Sequence, residues 1–339
     1  MKYLHHDIRL LLLFLSVVLL SGCVKDEEFT NDSRGNFEAL WRIMDEHYCF
    51  FSEKEKQFGL DWNAVYQRYS KQINPQMTEE QLFEVLGNML GELRDGHVNL
   101  ITSFDIARNW SWHEDYPANL NDSLINSYLG KEYRISNGMK YRLLDDNIGY
   151  IRCSTFENSF GSGNLTDILS YFLTARGLII DIRNNGGGMI SSAEELAARF
   201  TNKDICVGYI QHKTGRGHND FSEMKAQWLR PSRGLRWQKP VVVLTNRGVY
   251  SAANEFIKYM KSCPKVTIVG DRTGGGAGMP FSSELPNGWS VRFSACPIYD
   301  KDKQTTEFGI APDVQIGLNQ FDIFMGYDSI IEQARKILR

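Results

Sequence analysis

The chain has 339 residues, 42% of them hydrophobic and 23% charged, with a formal net charge of −3. This composition fits a folded globular protein and excludes a disordered, collagenous or many-span membrane chain. No excess of positive charge exists to neutralise phosphates, which excludes a nucleic-acid partner that binds through its backbone.

The first predicted element is an apolar run from Leu10 to Leu20, broken only by Ser16 and preceded by Lys2 and Arg9. It is too short for a hydrocarbon core, which needs about 20 residues, and reads as the core of a secretion signal. Leu20-Ser21-Gly22-Cys23 resembles a bacterial lipobox. That resemblance implies a signal peptide over 1–22, lipid on Cys23 and a tether over 23–35 leading to an outer-membrane lipoprotein. Whether it faces the periplasm or the exterior stays open. Two or more acyl chains would anchor it stably. The acidic stretch Asp26-Glu27-Glu28 reads either as a surface-export tag or as a solvated tether. Cleavage would remove Lys2, Arg9 and Asp7, moving the formal charge from −3 to −4.

Three helical patterns follow. Phe37, Leu40, Trp41, Met44 and Tyr48 recur at helical spacing; Asp61 precedes a second helix with Trp62, Val65, Tyr66 and Tyr69 inward. Thr78 and Gln81 form a capping-box pattern ahead of Leu82, Leu86, Met89, Leu90 and Leu93. Together they predict a helical N-terminal domain over 36–100. Residues 101–146, rich in Asn, Asp, Ser, Trp and Tyr, show weak periodicity and read as a connecting segment.

From residue 147 to the end, apolar strands alternate with helices. Strands are predicted at 148–151, 177–182, 241–244 and 266–269, with helices at 165–173, 191–200 and 251–261, and a long basic loop over 211–238. Continuous apolar strands in βαβ order imply an α/β core with helices packed on a sheet.

Four stretches could carry chemistry. Asp181-Ile182-Arg183-Asn184-Asn185-Gly186-Gly187-Gly188 lies between a buried strand and a helix. Its glycines can expose backbone N–H groups to an anion, although it lacks the spacing of a P-loop or dinucleotide fingerprint. Ser251 stands between a strand and a helix, as an N-cap would, or as a nucleophile placed at a helix N-terminus would. His97, in Leu93-Arg94-Asp95-Gly96-His97, follows a helix and can reach a cleft. His47 is expected on a helix surface, and His212 and His218 in solvent. No histidine pair has metal-ligand spacing, and Cys49, Cys153, Cys206, Cys263 and Cys296 form no CxxC, so neither a metal nor a cofactor is expected. Glu307 precedes a turn in Glu307-Phe308-Gly309-Ile310-Ala311-Pro312-Asp313.

In this order, and with Tyr250-Ser251-Ala252-Ala253-Asn254-Glu255 and Val269-Gly270-Asp271-Arg272-Thr273-Gly274-Gly275, the stretches resemble the tail-specific, or C-terminal-processing, serine peptidases, especially their tricorn-core-like branch. The resemblance implies a crotonase- or ClpP-like core of stacked βαβ units behind a small helical domain. It also implies peptide or unfolded-protein substrates. Ser251 matches the nucleophile, His97 the general base and Glu307 the residue that orients the network. The N–H groups of Ala252 and of Gly187, or its neighbour Gly188, match the oxyanion hole.

Three departures matter. Many members carry a lysine in the block where Gly276 stands, 25 residues after Ser251, which directs the base to His97. The branch has a serine where Gly96 stands, leaving Asp95 or Asn99 to hold the imidazole. Residues 101–146 are too few for a PDZ domain, so a preference for free C-termini does not carry over. The alternative is an inactive, lipid-anchored relative that binds peptides in the same cleft. An acyl-CoA enzyme on the related fold is a more distant possibility. Oligomeric state is left open by the sequence.

Overall fold

The computed structural model describes residues 29–339; the signal segment, Cys23 and the acidic stretch lie outside the described residues. The tether expected through residue 35 gives way earlier to helix α1 (Ser33–His47), whose N-cap Asp32 accepts the Gly35 N–H at 2.8 Å. Helix α2 (Phe51–Phe58) has no signature in the sequence, because its polar run Ser52–Gln57 shows no apolar stripe. Helix α3 (Trp62–Tyr69) is capped by Asp61. Helix α4 (Glu79–Gly91) opens on the predicted reciprocal Thr78–Gln81 pair.

These helices share a core with the far end of the chain. Phe37, Leu40 and Met44 of α1 and Leu86 and Met89 of α4 share one apolar cluster with Trp289, Val291 and Phe293 from the far end of the chain. Each fully buried side chain of this size contributes roughly 2 kcal/mol, so the N-terminal region is held by the sheet it covers.

The connecting segment is also more structured than its composition suggests. Strand β1 (Asn99–Ile101) leads into it, and it contains β2 (Ile106–Arg108), the short α5 (Ser111–Glu114), α6 (Asp122–Leu129), β3 (Arg134–Ser136) and β4 (Met139–Leu143). Asn137 and Gly138, with φ of 47° and 81°, close the β3–β4 hairpin, as a two-residue turn with positive φ at both positions requires. Strand β4 pairs with β5 (Ile148–Arg152). The boundary drawn at residue 147 therefore cuts through a continuous sheet.

The remaining elements are α7 (Ser162–Tyr171), β6 (Gly177–Asp181), α8 (Ile190–Ala197), β7 (Ile205–Ile210), β8 (Lys225–Leu229), β9 (Val241–Thr245), α9 (Ala252–Ser262), β10 (Val266–Gly270), β11 (Gly278–Glu284), β12 (Ser290–Tyr299), β13 (Val314–Gln315), α10 (Gln320–Phe324) and α11 (Ser329–Leu338). A seven-stranded sheet runs β13-β10-β9-β6-β5-β4-β3, parallel from β13 to β5. Its central strands β6 and β9 are buried along their whole length, which explains their unbroken apolar sequences. A six-stranded sheet orders β2-β1-β12-β7-β8, with β11 also on β12.

The long basic loop is thus interrupted by β8. Its His218, expected in solvent, bonds Asp45 at 2.8 Å and stacks on Phe51, which ties the loop to α1 and α2. The loops after β6, β9 and β10 all leave the carboxyl ends of parallel strands, the edge at which open α/β sheets gather their ligands.

Candidate active site

The loop after β9 delivers Ser251 immediately before α9. Its backbone has φ 56° and ψ −124°, and its side chain makes no capping bond. It is not an N-cap. A non-glycine residue at positive φ costs on the order of 1–3 kcal/mol. Here the hydroxyl faces inward, with Oγ 3.0 Å from His97 Nε2.

His97 reaches this point because Leu93–Val98 turns from α4 into β1. Asp95 fixes the turn by accepting the His97 backbone N–H at 2.8 Å. The same carboxylate accepts hydroxyl bonds from Tyr48 at 2.9 Å, Ser294 at 3.1 Å and Tyr250 at 3.2 Å. Burial alone would raise the Asp95 pKa, but Lys54, His97 and these donors outweigh it and hold the carboxyl below its usual value. For His97, burial disfavours the cation, and Arg292, Arg108 and Lys54 add to that against the opposing pull of Asp95; its pKa falls to about 4. The ring is therefore neutral at neutral pH. Acceptance from Ser251 by Nε2 requires the tautomer with its proton on Nδ1, which is buried and has no partner among the described residues.

Glu307, matched to the orienting role, meets the network around Asp95 through Lys54. It does not bond the imidazole. Its Oε1 takes the Lys54 ammonium at 2.9 Å and its Oε2 the Ala277 N–H at 3.0 Å. Both members of the ion pair are buried. Burial and the nearby Asp95 push the Glu307 pKa up to about 7 despite Lys54. Sequence reasoning missed Lys54, because a lysine in a polar helix is normally solvated.

Gly96 explains its own departure. A Cβ there would stand 2.6 Å from Trp112 Nε1 and 3.0 Å from the Tyr250 hydroxyl, so a serine would collide. Trp112, from the segment read as a connector, stacks on Tyr250 at 4.0 Å. Arg247 clamps it by donating to its carbonyl at 2.7 and 3.1 Å.

In the glycine-rich block the first residues are structural. Asp181 and Arg183 form a buried ion pair at 2.7 Å, and Arg183 also bonds Asp328 at 2.9 Å. The Asp181 pKa, which burial would raise, is held down to about 2 by Arg183 and Arg152. Asn185 then turns back on Gly187, accepting its N–H at 3.0 Å. Gly187, expected as a possible oxyanion donor, is occupied. The Gly187 carbonyl accepts from Phe156 N at 2.9 Å. In a trans peptide the following N–H points the opposite way, so the Gly188 N–H faces away from Phe156. Gly188 lines a cleft of about 750 Å³ with His97 and Ser251, and Gly187 does not. The Ala252 N–H opens α9 and has no intrahelical acceptor.

The five cysteines from Cys49 onward are free. Burial raises the thiol pKa of Cys153 and Cys263 to about 12, which leaves them unreactive. Among the described residues no group of His, Cys, Asp and Glu side chains could hold a metal ion.

Comparison with known proteins gives the family. The model of peptidase family S41 matches residues 147–316, and that of the tricorn protease C1 domain matches residues 29–91. A carboxy-terminal-processing protease of Bartonella bacilliformis is 28% identical over 202 residues, 58% of this chain and 44% of that protein. Carboxy-terminal processing protease CtpA of Bacillus subtilis is 27% identical over 180 residues, 52% of this chain and 36% of that protein. The matched region thus spans less than half the length of these curated relatives. A crystal structure of a candidate peptidase from Parabacteroides merdae superimposes with a TM-score of 0.87 at 51% identity, covering 91% of this chain and 97% of that one. Mature CPAF, at 13% identity and a TM-score of 0.68, covering 91% of this chain and 96% of its own, shares the fold.

Proposed function

The chain belongs to peptidase family S41, and from that premise we propose that it is a serine endopeptidase acting on peptides or unfolded protein segments. The observation that carries the reading is the 3.0 Å contact between His97 Nε2 and Ser251 Oγ, made inside a cleft of about 750 Å³.

His97, neutral and with Nε2 facing the hydroxyl, takes the Ser251 proton as Oγ attacks the scissile carbonyl. The N–H groups of Ala252 and Gly188 receive the oxyanion; such donors typically contribute on the order of 3 kcal/mol each to the transition state. His97 then protonates the leaving amine. Water, activated by the same imidazole, releases the acyl group from Ser251. Asp95 supplies the negative charge that stabilises the imidazolium, and Glu307 acts at one remove by neutralising Lys54 behind it.

The reading includes attachment to the bacterial outer membrane through lipid on Cys23, supported by the apolar run and the Leu20–Cys23 motif. Loss of radiolabelled palmitate incorporation in Cys23→Ala tests the anchor. For the activity, wild-type protein should degrade a denatured protein substrate and Ser251→Ala should not. Equal turnover by both would overturn the assignment.

A further inference from the structure

We propose that the cleft selects substrates with an acidic side chain on the leaving-group side of the scissile bond, the carboxylate being held between Arg108 and Arg292. This inference rests on the peptidase reading for its catalytic consequence, whereas the anion subsite stands on its own geometry.

The subsite is built by strand register. Asn99 on β1 lies directly opposite Arg108 on β2 and Arg292 on β12. Directly opposed residues project to the same face of a sheet, with neighbouring Cβ atoms about 5 Å apart. The two arginines therefore flank one asparagine in a single row. Both line the cleft that contains His97 and Ser251.

Neither guanidinium has a carboxylate partner among the described residues, whereas the buried Arg183 is paired with Asp181 and Asp328. Arg108 is held in place: its Nε donates to Asn99 Oδ1, and its guanidinium lies 4.8 Å over the Trp110 ring. Those contacts leave its terminal N–H groups unspent. Arg247, the third guanidinium of the cleft, donates instead to the carbonyls of Trp112 and Thr273. The carboxylates of the cleft, Glu114 and Glu157, make no ion pair with Arg108 or Arg292. Two uncompensated positive charges beside one cleft favour an anion, and paired guanidiniums match the two oxygens of a carboxylate.

The position of His97 assigns the side. The imidazole must hand its proton to the departing amine, so the chain beyond the scissile nitrogen runs past His97 toward the two arginines. Arg292 and Arg108 also help to keep His97 poorly basic. A substrate carboxylate between them would offset that effect, so the acidic residue should improve kcat as well as KM.

The test uses acetylated, amidated decapeptides in which a single Glu replaces Gln at each position in turn. Wild-type protein should cleave peptides with Glu one to three residues after the scissile bond about tenfold faster than the Gln versions, the size of one charge-assisted contact. Arg108→Ala combined with Arg292→Ala should abolish that advantage, bringing the ratio of Glu-peptide to Gln-peptide cleavage rates down to about one. Fluorescence anisotropy of labelled peptides on Ser251→Ala protein reads the same preference without catalysis. Equal binding of Glu and Gln peptides, or a preference that survives loss of both arginines, would overturn the subsite. So would stronger binding of an all-Gln peptide with a free C-terminal carboxylate than of the amidated Glu peptide. Arginine-dependent binding of Glu peptides by wild-type protein that cleaves none of them would support the subsite and overturn the peptidase reading alone.

Discussion

Asp95 grips His97 by its backbone and not by its ring: the carboxylate accepts the His97 main-chain N–H at 2.8 Å, while the ring Nδ1 has no partner among the described residues. The carboxylate therefore sets the position of the histidine and the field around it, but does not fix its tautomer through a direct bond. The ring is steadied by edge contact with Tyr250 at 5.0 Å and by burial. Asp95→Asn, which can keep hydrogen bonds to the surrounding hydroxyls while losing the charge, should lower kcat by about tenfold or more, since one pKa unit corresponds to about 1.4 kcal/mol. Its effect should exceed that of Glu307→Gln, measured as kcat on one peptide. The reverse order would return the orienting role to Glu307.

The pH dependence follows from burial of the same ring. With its pKa lowered to about 4, His97 stays neutral as pH falls below the ordinary histidine value and becomes protonated only near 4. The acid limb of kcat/KM should accordingly lie well below pH 6. Between about 4 and 6.5 an unfolded histidine binds a proton that the folded one refuses, so this group contributes stability that rises with pH across that window. A steady-state profile from pH 3.5 to 8 checks the first statement; an acid limb at 6.5 would show that His97 is solvated when it works.

The sequence made much of this architecture legible, for identifiable reasons. Strands such as Gly177–Asp181 and Val241–Thr245 are buried throughout, so their apolar runs are uninterrupted and the alternation with helices is clear. The hairpins β3–β4 and β11–β12 were missed because their strands carry Arg, Lys, Ser and Gly. Even so, Asn137-Gly138 and Asn287-Gly288 marked both turns. Ser251 and His97, both singled out by their sequence context, lie 3.0 Å apart across 154 residues. Which glycine faces the cleft depended on the Asn185 side chain and the Phe156 backbone, neither of which spacing can reveal. Lys54 was hidden because its burial exists only through Glu307, 253 positions away.

That pair is open to a double-mutant cycle. Glu307→Gln should destabilise the fold by on the order of 3 kcal/mol, because it leaves the Lys54 ammonium buried with neutral acceptors only. Lys54→Met should cost less, since Glu307, already raised to about 7, can take up a proton. Combined, the two changes should cost less than the sum of the single ones. Additive losses in denaturant midpoints would mean that the pair is not coupled.

Strain at Ser251 predicts a trade of activity for stability. Glycine tolerates φ 56°, so Ser251→Gly should raise stability by about 1 kcal/mol, the relief of strain being partly offset by the added freedom of the unfolded chain. Ser251→Ala, which keeps the strained backbone, should change stability little. Thermal unfolding of the two variants compares them directly.

The most direct measurement is covalent labelling with a fluorophosphonate, read as an intact-mass shift and mapped by peptide sequencing. Wild-type protein should gain one adduct, on Ser251, at a rate that falls by at least about a hundredfold in His97→Ala, within the range by which general-base groups accelerate such attacks. Absence of any adduct, or labelling that persists in Ser251→Ala or proceeds unchanged in His97→Ala, would contradict it.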